Sequence, residues 1–230
     1  MSKGSESSYR PPEDLKARLA ASYNDIAIEY NKWTEPHSHI RIPWLKKLFD
    51  RLRIPEGEEA RILELGAGAG VPTGKAILEF APTVQYMAND LSARQLQLLQ
   101  DNLAEHKDRI TAMEGDMFAL DIPASSLLAV VGMYSIIHLP RDEQSQLLGK
   151  IAKWLQPGGY LLANFSEEEL EGLVNENWLS EGGWMYWSAW GAERTKKMLE
   201  ESGLELLESD VVRDVVDANF LWVLARKKEA

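Results

Sequence analysis

Three alternate glycines, Gly66, Gly68 and Gly70, form the segment that most directly predicts a ligand site. They lie in "RILELGAGAGVPTGKAILEF", between an apolar stretch and a helix-like one. A glycine turn lets the backbone approach a bound group closely, at a cost in conformational entropy. A dinucleotide fingerprint would need glycine at Val71, and a phosphate loop would need Ser or Thr at Ala76. The turn therefore predicts a ligand that is not held by its phosphate; a tight turn that binds nothing is the alternative.

Two aspartates follow the next two strand candidates. Asp90 lies in "NDLS", where a carboxylate can accept hydrogen bonds from both hydroxyls of a ribose. Asp116 lies in "MEGDMF", close to the expected position of an adenine amino group. Such residues also cap helices and turns, so one alone says little. The pair after a glycine turn predicts a nucleoside.

The elements that must position these residues alternate between strand and helix patterns. Apolar positions at helical spacing predict helices over 15–33 and 40–52, and Ser92 with Gln95 has capping-box spacing. Further helices are expected over 142–155, ending at Pro157-Gly158-Gly159, and over 192–202. The strand candidates are 61–65, 84–88, 110–113, 127–133, 160–165, 204–212 and 219–225. This order predicts an α/β fold with an open, doubly wound sheet, whose ligands lie beyond the carboxyl ends of its strands.

Composition narrows the class of protein. The chain has 230 residues, 45% of them hydrophobic, and contains no cysteine, which excludes disulfides and thiolate metal sites. The formal net charge of −11 and the lack of a basic patch argue against nucleic-acid binding. The polar residues 1–12 predict a disordered tail and no signal peptide, and no apolar run approaches membrane-spanning length. We therefore expect a soluble, cytoplasmic protein.

The sequence resembles the class I S-adenosylmethionine-dependent methyltransferases, in particular the small-molecule group of bacterial and fungal metabolism. The resemblance runs from about Ala21 to Lys228. Its motifs are "LELGAGAGVPTG", "NDLSARQL", "EGDMFAL", "VVGMYSIIHLPRDEQSQLLGKIAKWLQPGGYLLANF" and the tail from "MYWSAWGAERTKK" onward. Ala67 departs from the pattern, since cysteine is common there.

The resemblance implies a Rossmann-like methyltransferase fold with a seven-stranded, mostly parallel sheet and an N-terminal helical cap. The single domain would cover 13–230. Within it, 13–56 would form the cap, 57–165 the cofactor-binding core, 166–192 the acceptor-pocket segment and 193–230 a C-terminal helix and hairpin.

The resemblance also implies S-adenosylmethionine as the cofactor. The glycines would approach its amino-acid end, Glu64 would anchor its ammonium and Arg41 would pair with its carboxylate. Leu91 and Met117 would sandwich the adenine, although plain core packing explains them equally well. The complete implied cofactor set is Tyr23, Tyr30, Arg41, Glu64, Gly66, Ala67, Gly68, Gly70, Asp90, Leu91, Gln95, Gly115, Asp116, Met117 and Met133.

The acceptor is expected between the cap and the aromatic segment "WLSEGGWMYWSAW". His138 is the candidate base, with a packing role as the alternative, and Tyr23 and Tyr30 could instead be ordinary core residues. Trp184, Trp187 and Trp190 recur every three residues and could share one face. The implied acceptor contacts are His37, His39, Tyr134, Trp184, Tyr186, Trp187 and Trp190.

Motifs typical of other methyltransferase subfamilies are mostly missing from this sequence. No Asn/Asp-Pro-Pro-Tyr motif or metal-binding carboxylate follows the fourth strand, so no metal is expected. The acidic run 167–171 is interpreted as a solvated helix start.

The predicted function is methyl transfer to an oxygen, nitrogen or sulfur atom of a small, largely apolar metabolite, with no obligatory protein partner. A catalytically silent cofactor-binding regulator and an NAD(P)-dependent oxidoreductase are the alternatives.

Overall fold

The computed structural model describes residues 10–215 and 218–228 of the chain. Its main sheet has seven strands in the order β3-β2-β1-β4-β5-β9-β8. The pairs from β3 to β5 are parallel, while β9 runs antiparallel to both β5 and β8. These strands are β1 Ala60–Leu65, β2 Val84–Asp90, β3 Ile110–Glu114, β4 Leu127–Gly132, β5 Leu155–Ser166, β8 Leu204–Arg213 and β9 Asn219–Lys227. The predicted doubly wound, mostly parallel sheet is confirmed.

Seven α-helices lie among the described residues, and those that follow the parallel strands pack on the faces of the sheet. They are α1 Leu15–Asp25, α2 Ala27–Thr34, α3 Ser38–Phe49, α4 Thr73–Phe80, α5 Ala93–Asn102, α6 Arg141–Trp154 and α7 Ala192–Glu201. Strand β4 is buried at every position, as expected for the centre of such a sheet. Half of the predicted capping box is present, since Ser92 Oγ accepts a hydrogen bond from the Gln95 backbone N–H at 3.1 Å.

The N-terminal cap consists of α1, α2 and α3. The predicted first helix is interrupted at Ile26, a buried residue whose backbone is not helical (φ −94°, ψ 8°), so it consists of two helices, α1 and α2. The tail predicted for residues 1–12 lies largely outside the described residues, which begin at Arg10.

Helix α6 ends before Pro157-Gly158-Gly159, and these three residues form an irregular stretch within β5, where Gly158 has a φ of +74°. Helix α6 ends at Trp154 and the strand begins at the next residue, with an irregular register between Leu127 and Ala129 of the neighbouring β4. A Cβ on Gly159 would lie 2.9 Å from the Gln156 carbonyl oxygen. Glycine is therefore required here for the close approach of two backbones rather than for a helix stop.

The prediction that residues 167–171 start a helix is wrong. They lead into β6, Glu169–Asn175, which pairs antiparallel with β7, Met185–Trp190, in a separate two-stranded sheet. Glu169 and Glu171 are exposed while Leu170 between them is partly buried. This period of two is typical of a strand, and it predicts the observed structure better than the run of acidic residues does.

No helix among the described residues is long and apolar enough to cross a membrane.

Candidate functional site

The glycine turn leaves β1 with its backbone in the left-handed region. The φ angles are +72° at Gly66, +54° at Gly68 and +76° at Gly70. A Cβ on Gly66 would lie 2.4 Å from Ser135 Cβ, and one on Gly70 would lie 2.8 Å from side-chain atoms of α5. Gly68 faces open space, with only Gln95 Oε1 at 4.0 Å. Two of the glycines are therefore needed for packing, and Gly68 leaves room for a ligand.

Asp90 fixes the shape of this turn. Its Oδ2 accepts the Gly68 backbone N–H at 2.8 Å and its Oδ1 accepts that of Ser92 at 2.9 Å. Burial raises the pKa of Asp90 to about 6, against the lowering effect of these two hydrogen bonds. Each carboxylate oxygen keeps a second lone pair, so the group can still accept hydrogen bonds from a bound ligand.

A small cleft of about 60 Å³ adjoins the turn. Its floor comes from the carboxyl ends of the strands, and its roof from Leu19, Tyr23 and Tyr30 of the cap. Gln95 is 1% exposed, and both polar atoms of its amide lack a hydrogen-bond partner among the described residues. The residues predicted to bind the cofactor that line this cleft are Tyr23, Tyr30, Gly66, Gly68, Asp90, Leu91, Gln95, Met117 and Met133.

Asp116 and Glu64 lie off the cleft lining. Asp116 caps its own short 3₁₀ turn by accepting the Phe118 N–H at 2.9 Å, and it forms an ion pair with Lys16 of α1 at 3.1 Å. Glu64 is 4% exposed and accepts a hydrogen bond from the Tyr86 hydroxyl. Burial raises the pKa of Glu64 to about 8, although Tyr86 and Arg41 act in the opposite direction. Ala67, Gly70 and Gly115, also predicted for the cofactor, do not line the cleft either.

Arg41 is buried rather than solvated. It is 9% exposed, lies over the Tyr134 ring at 5.0 Å from its centroid, and has no hydrogen-bond partner for Nε among the described residues. It lines a second, larger cavity of about 380 Å³.

This larger cavity lies between the cap, the two-stranded sheet and the start of β9. Seven aromatic side chains line it, among them Trp33, Trp178, Trp187, Tyr134 and Phe220, beside polar residues such as Arg41 and Asn175. Tyr23, Tyr30, Tyr134 and His138 line both this cavity and the small cleft. The two spaces therefore meet at a shared wall, which is the arrangement needed to bring two bound molecules together.

His138 lies in that wall with both ring nitrogens engaged. Nδ1 is 2.8 Å from the Tyr186 carbonyl oxygen, so it carries the proton, and Nε2 then accepts from the Tyr23 hydroxyl at 2.9 Å. Burial lowers the pKa of His138 to about 4, against the effect of its backbone hydrogen bonds. The ring is therefore neutral at neutral pH. Its predicted role as a base stays a prediction, and a proton could reach Nε2 only in place of the Tyr23 hydrogen bond or through it.

His37 is the other histidine at the cavity. It is 1% exposed, and its Nδ1 lies 3.0 Å from Asp214 Oδ1. The other oxygen of Asp214 accepts the Tyr134 hydroxyl at 2.5 Å. Tyr134 has a φ of +56°, which strains a non-glycine residue, and Asn164 Oδ1 accepts its N–H at 2.6 Å.

Asp214 and Asn164 were missed by the sequence reasoning, because neither lies in a motif or beside a candidate residue in the chain. No sequence signal marks Asp214, which follows β8. Asn164 interrupts an otherwise apolar run in β5 and is 0% exposed, so a buried amide in a central strand was the available signal.

Of the aromatic residues predicted to contact the acceptor in this segment, only Trp187 lines the cavity among the described residues. Trp184 packs against the cap with Arg18 over its ring, and Trp190 Nε1 donates to the Arg141 carbonyl oxygen at 2.9 Å. The expectation of a common face at a spacing of three is wrong, because these residues border or belong to a strand, whose side chains alternate. Tyr186 is fully buried and His39 is exposed, and neither lines the cavity.

Within the described ranges, no group of three or more histidine or acidic side chains is placed to hold a metal ion.

The comparisons with known proteins agree with this architecture. Residues 62–159 match the family model of a methyltransferase domain. The chain is 24% identical over 155 residues to the ubiquinone/menaquinone biosynthesis C-methyltransferase of Hahella chejuensis, which covers 66% of this chain and 61% of that protein. It is 28% identical over 110 residues to phosphoethanolamine N-methyltransferase 1 of Triticum aestivum, covering 47% of this chain and 22% of that one. The chain thus spans less than two thirds of these curated relatives.

A solved structure covers nearly the whole chain. The 1,6-didemethyltoxoflavin-N1-methyltransferase of Burkholderia thailandensis, with 1,6-didemethyltoxoflavin and S-adenosylhomocysteine bound, superposes with a TM-score of 0.70 at 18% identity, over 97% of this chain and 93% of that one. Residues 62–159 match a methyltransferase domain, and the sheet order and the glycine turn agree with the resemblance to class I S-adenosylmethionine-dependent methyltransferases.

The residues at the cleft fit the S-adenosylmethionine that this class uses. Gly68 faces open space, and the buried amide of Gln95 has no hydrogen-bond partner among the described residues, so both would accommodate polar groups of the cofactor. Asp90, Leu91 and Met117 line the cleft; the free lone pairs of Asp90 would suit ribose hydroxyls, and the two apolar side chains would suit a base.

Proposed function

We propose that this chain transfers a methyl group to an oxygen, nitrogen or sulfur atom of a small, largely apolar metabolite bound in the 380 Å³ cavity. The observation that carries the proposal is the wall shared by the cleft and the cavity, built from Tyr23, Tyr30, Tyr134 and His138. A methyl donor on one side and an acceptor on the other would meet across it.

The nature of the acceptor is inferred from the cavity walls. Flat aromatic surfaces bury a ring or an alkyl group well and exclude water, whereas a macromolecule needs a larger and more open contact area. The Burkholderia relative acts on 1,6-didemethyltoxoflavin and the wheat relative on phosphoethanolamine, and both are small molecules.

The chemistry asks little of the protein beyond position. S-adenosylmethionine supplies a methyl group that is already activated for transfer. Asp90 and Gln95 would hold the cofactor, the aromatic walls would orient the acceptor, and Leu19, Tyr23 and Tyr30 of the cap would exclude water. Proximity and orientation of two reactants can account for about 7–11 kcal/mol of a barrier.

The test is transfer of label. The wild-type chain is incubated with S-adenosylmethionine labelled in its methyl group and with a bacterial metabolite extract, and the labelled product is isolated. The proposal expects label in a small molecule extracted into organic solvent. Binding of S-adenosylhomocysteine without transfer would favour the silent regulator, and tighter binding of NAD would favour the oxidoreductase.

A further inference from the structure

We infer that His37, oriented by Asp214, accepts the proton of the methyl acceptor, so that the acceptor's nucleophile is an O–H or N–H group. The inference rests on the proposed function and deepens it. It concerns a histidine of the cap, His37, rather than His138 in the turn after β4.

The side chains of His37 and Asp214 are in contact. His37 Nδ1 lies 3.0 Å from Asp214 Oδ1, and the side chains are 2% and 1% exposed. The atoms are at ion-pair distance, although the N–H direction departs from that of a linear hydrogen bond. A carboxylate beside Nδ1 favours the tautomer with its proton on Nδ1 and a lone pair on Nε2. Asp214 is thereby a positioning residue.

The carboxyl group of Asp214 is ionised beside His37. Burial acts to raise the pKa of Asp214, but the nearby His37 ring and the hydrogen bond from the Tyr134 hydroxyl outweigh it and hold the pKa below its ordinary value. The carboxylate therefore stays ionised, and it can stabilise an imidazolium formed on His37. The Tyr134 hydroxyl occupies its second oxygen at 2.5 Å and keeps it in place.

The His37 nitrogen that would take the proton is Nε2. Among the described residues this atom has no hydrogen-bond partner, although it is buried. A buried polar atom without a partner costs about 1–3 kcal/mol, which a bound ligand can recover. The ring lines the acceptor cavity and packs edge-on against Tyr134, at 5.5 Å between ring centroids, and Tyr134 belongs to the wall shared with the cofactor cleft. His138, by contrast, has both nitrogens occupied.

Methyl transfer with His37 as the base moves one methyl group and one proton. The acceptor's heteroatom forms a bond to the methyl carbon, while the carbon–sulfur bond breaks and its electron pair stays on sulfur. The heteroatom's proton passes to His37 Nε2, and the imidazolium beside Asp214 later releases it to solvent. A thioether or tertiary amine has no proton to give up, so such acceptors have no use for this base.

A first experiment needs no acceptor. Nitrogen-15 NMR of the histidine-labelled full chain, with S-adenosylhomocysteine bound, reports the protonated nitrogen of each ring, and His37→Gln assigns the signal. We expect His37 to carry its proton on Nδ1 and an unprotonated Nε2. A proton on Nε2 instead would overturn the inference without touching the proposed function.

A second experiment measures turnover with the labelled extract. His37→Gln should lower the rate at least 100-fold, in line with the usual effect of a general base, while the Kd for S-adenosylhomocysteine stays within about twofold. Asp214→Asn should lower the rate less, and added imidazole should restore part of the rate to His37→Gly. A structural role would not be rescued by imidazole. His106→Gln is the matched control, since His106 lies beside Arg109 away from both spaces.

The outcomes separate the two claims. Full turnover in folded His37→Gln would overturn the base assignment alone, as would loss of turnover in His138→Gln but not in His37→Gln. Absence of transfer by the wild-type chain would overturn the proposed function, and the base assignment with it.

Discussion

The Tyr23 hydroxyl lies 2.9 Å from Nε2 of His138 and joins the cap to the turn after β4 at the border of the two ligand spaces. Nδ1 of the same ring lies 2.8 Å from the Tyr186 carbonyl oxygen, which leaves Nε2 as the acceptor. The bond therefore has one direction, from tyrosine to histidine, and it fixes how the cap closes over the cleft.

We expect Tyr23→Phe to lower the free energy of unfolding by about 1–3 kcal/mol, because the buried Nε2 loses its donor. In a His138→Phe background the same change should cost much less. Urea denaturation of the two single variants and the double variant gives the coupling energy. Additive losses would contradict the assigned bond.

Gly68→Ala should fold but bind the cofactor poorly. A Cβ at Gly68 meets open space within the chain, so the folded state pays only the strain of a left-handed alanine, about 1–2 kcal/mol. The methyl group would instead occupy the place of the ligand. Gly203→Ala is the matched control, since Gly203 has a φ of +86° and equally open surroundings outside the site. Calorimetry with S-adenosylhomocysteine should show loss of affinity in Gly68→Ala alone.

Asp90→Asn should weaken cofactor binding at least tenfold while the protein stays folded. A hydrogen bond to a charged acceptor contributes about 1.5–3 kcal/mol, and the amide keeps a single acceptor oxygen. With the pKa of Asp90 at about 6, the wild-type affinity should also fall as the pH drops below 6. Titration calorimetry at several pH values checks both effects, with the exposed Asp121→Asn as control. An unchanged Kd in a folded variant would refute the ribose assignment.

Glu64 should make the free protein less stable as the pH rises. Its pKa is raised to about 8 in the folded state, mainly by burial, so the folded chain holds a proton that the unfolded chain releases above about pH 4.5. The contribution of protonated Glu64 to the free energy of unfolding is complete at acid pH and is lost as the pH rises toward 8. The free energy of unfolding then falls by at most about 1.4 kcal/mol per pH unit. Melting curves of wild type and Glu64→Gln should diverge between pH 5 and 8 in favour of the variant. Parallel curves would show that Glu64 is ionised throughout.

Trp187→Ala should raise the acceptor KM, and Trp190→Ala should lower only the Tm. Trp187 lines the acceptor cavity, while Trp190 packs on Arg141 outside it. Michaelis constants with the isolated acceptor, beside melting temperatures, separate the two effects. If Trp187→Ala lost stability without any change in acceptor kinetics, the cavity would not be the acceptor site.

The sheet, the glycine turn and the position of Asp90 could all be predicted from the sequence. Each of these depends on residues close together in the chain: apolar runs such as β4, the spacing of Gly66, Gly68 and Gly70, and a capping serine at Ser92. Parallel connectivity then brings the carboxyl ends of the strands to one edge, so the cleft follows from local patterns and topology.

The residues around the larger cavity come together only through contacts between distant parts of the chain. His37 meets Asp214, and Tyr23 meets His138, across long stretches of chain that no local pattern connects. The acidic run at 167–171 leads into strand β6 because β6 pairs with β7 and Leu170 lines the cavity. Trp187 separates from Trp184 and Trp190 because the alternation of that strand, rather than a helical period, sets the directions of the side chains. Such contacts depend on which surfaces are left to bury once the sheet has formed, and sequence spacing does not encode that.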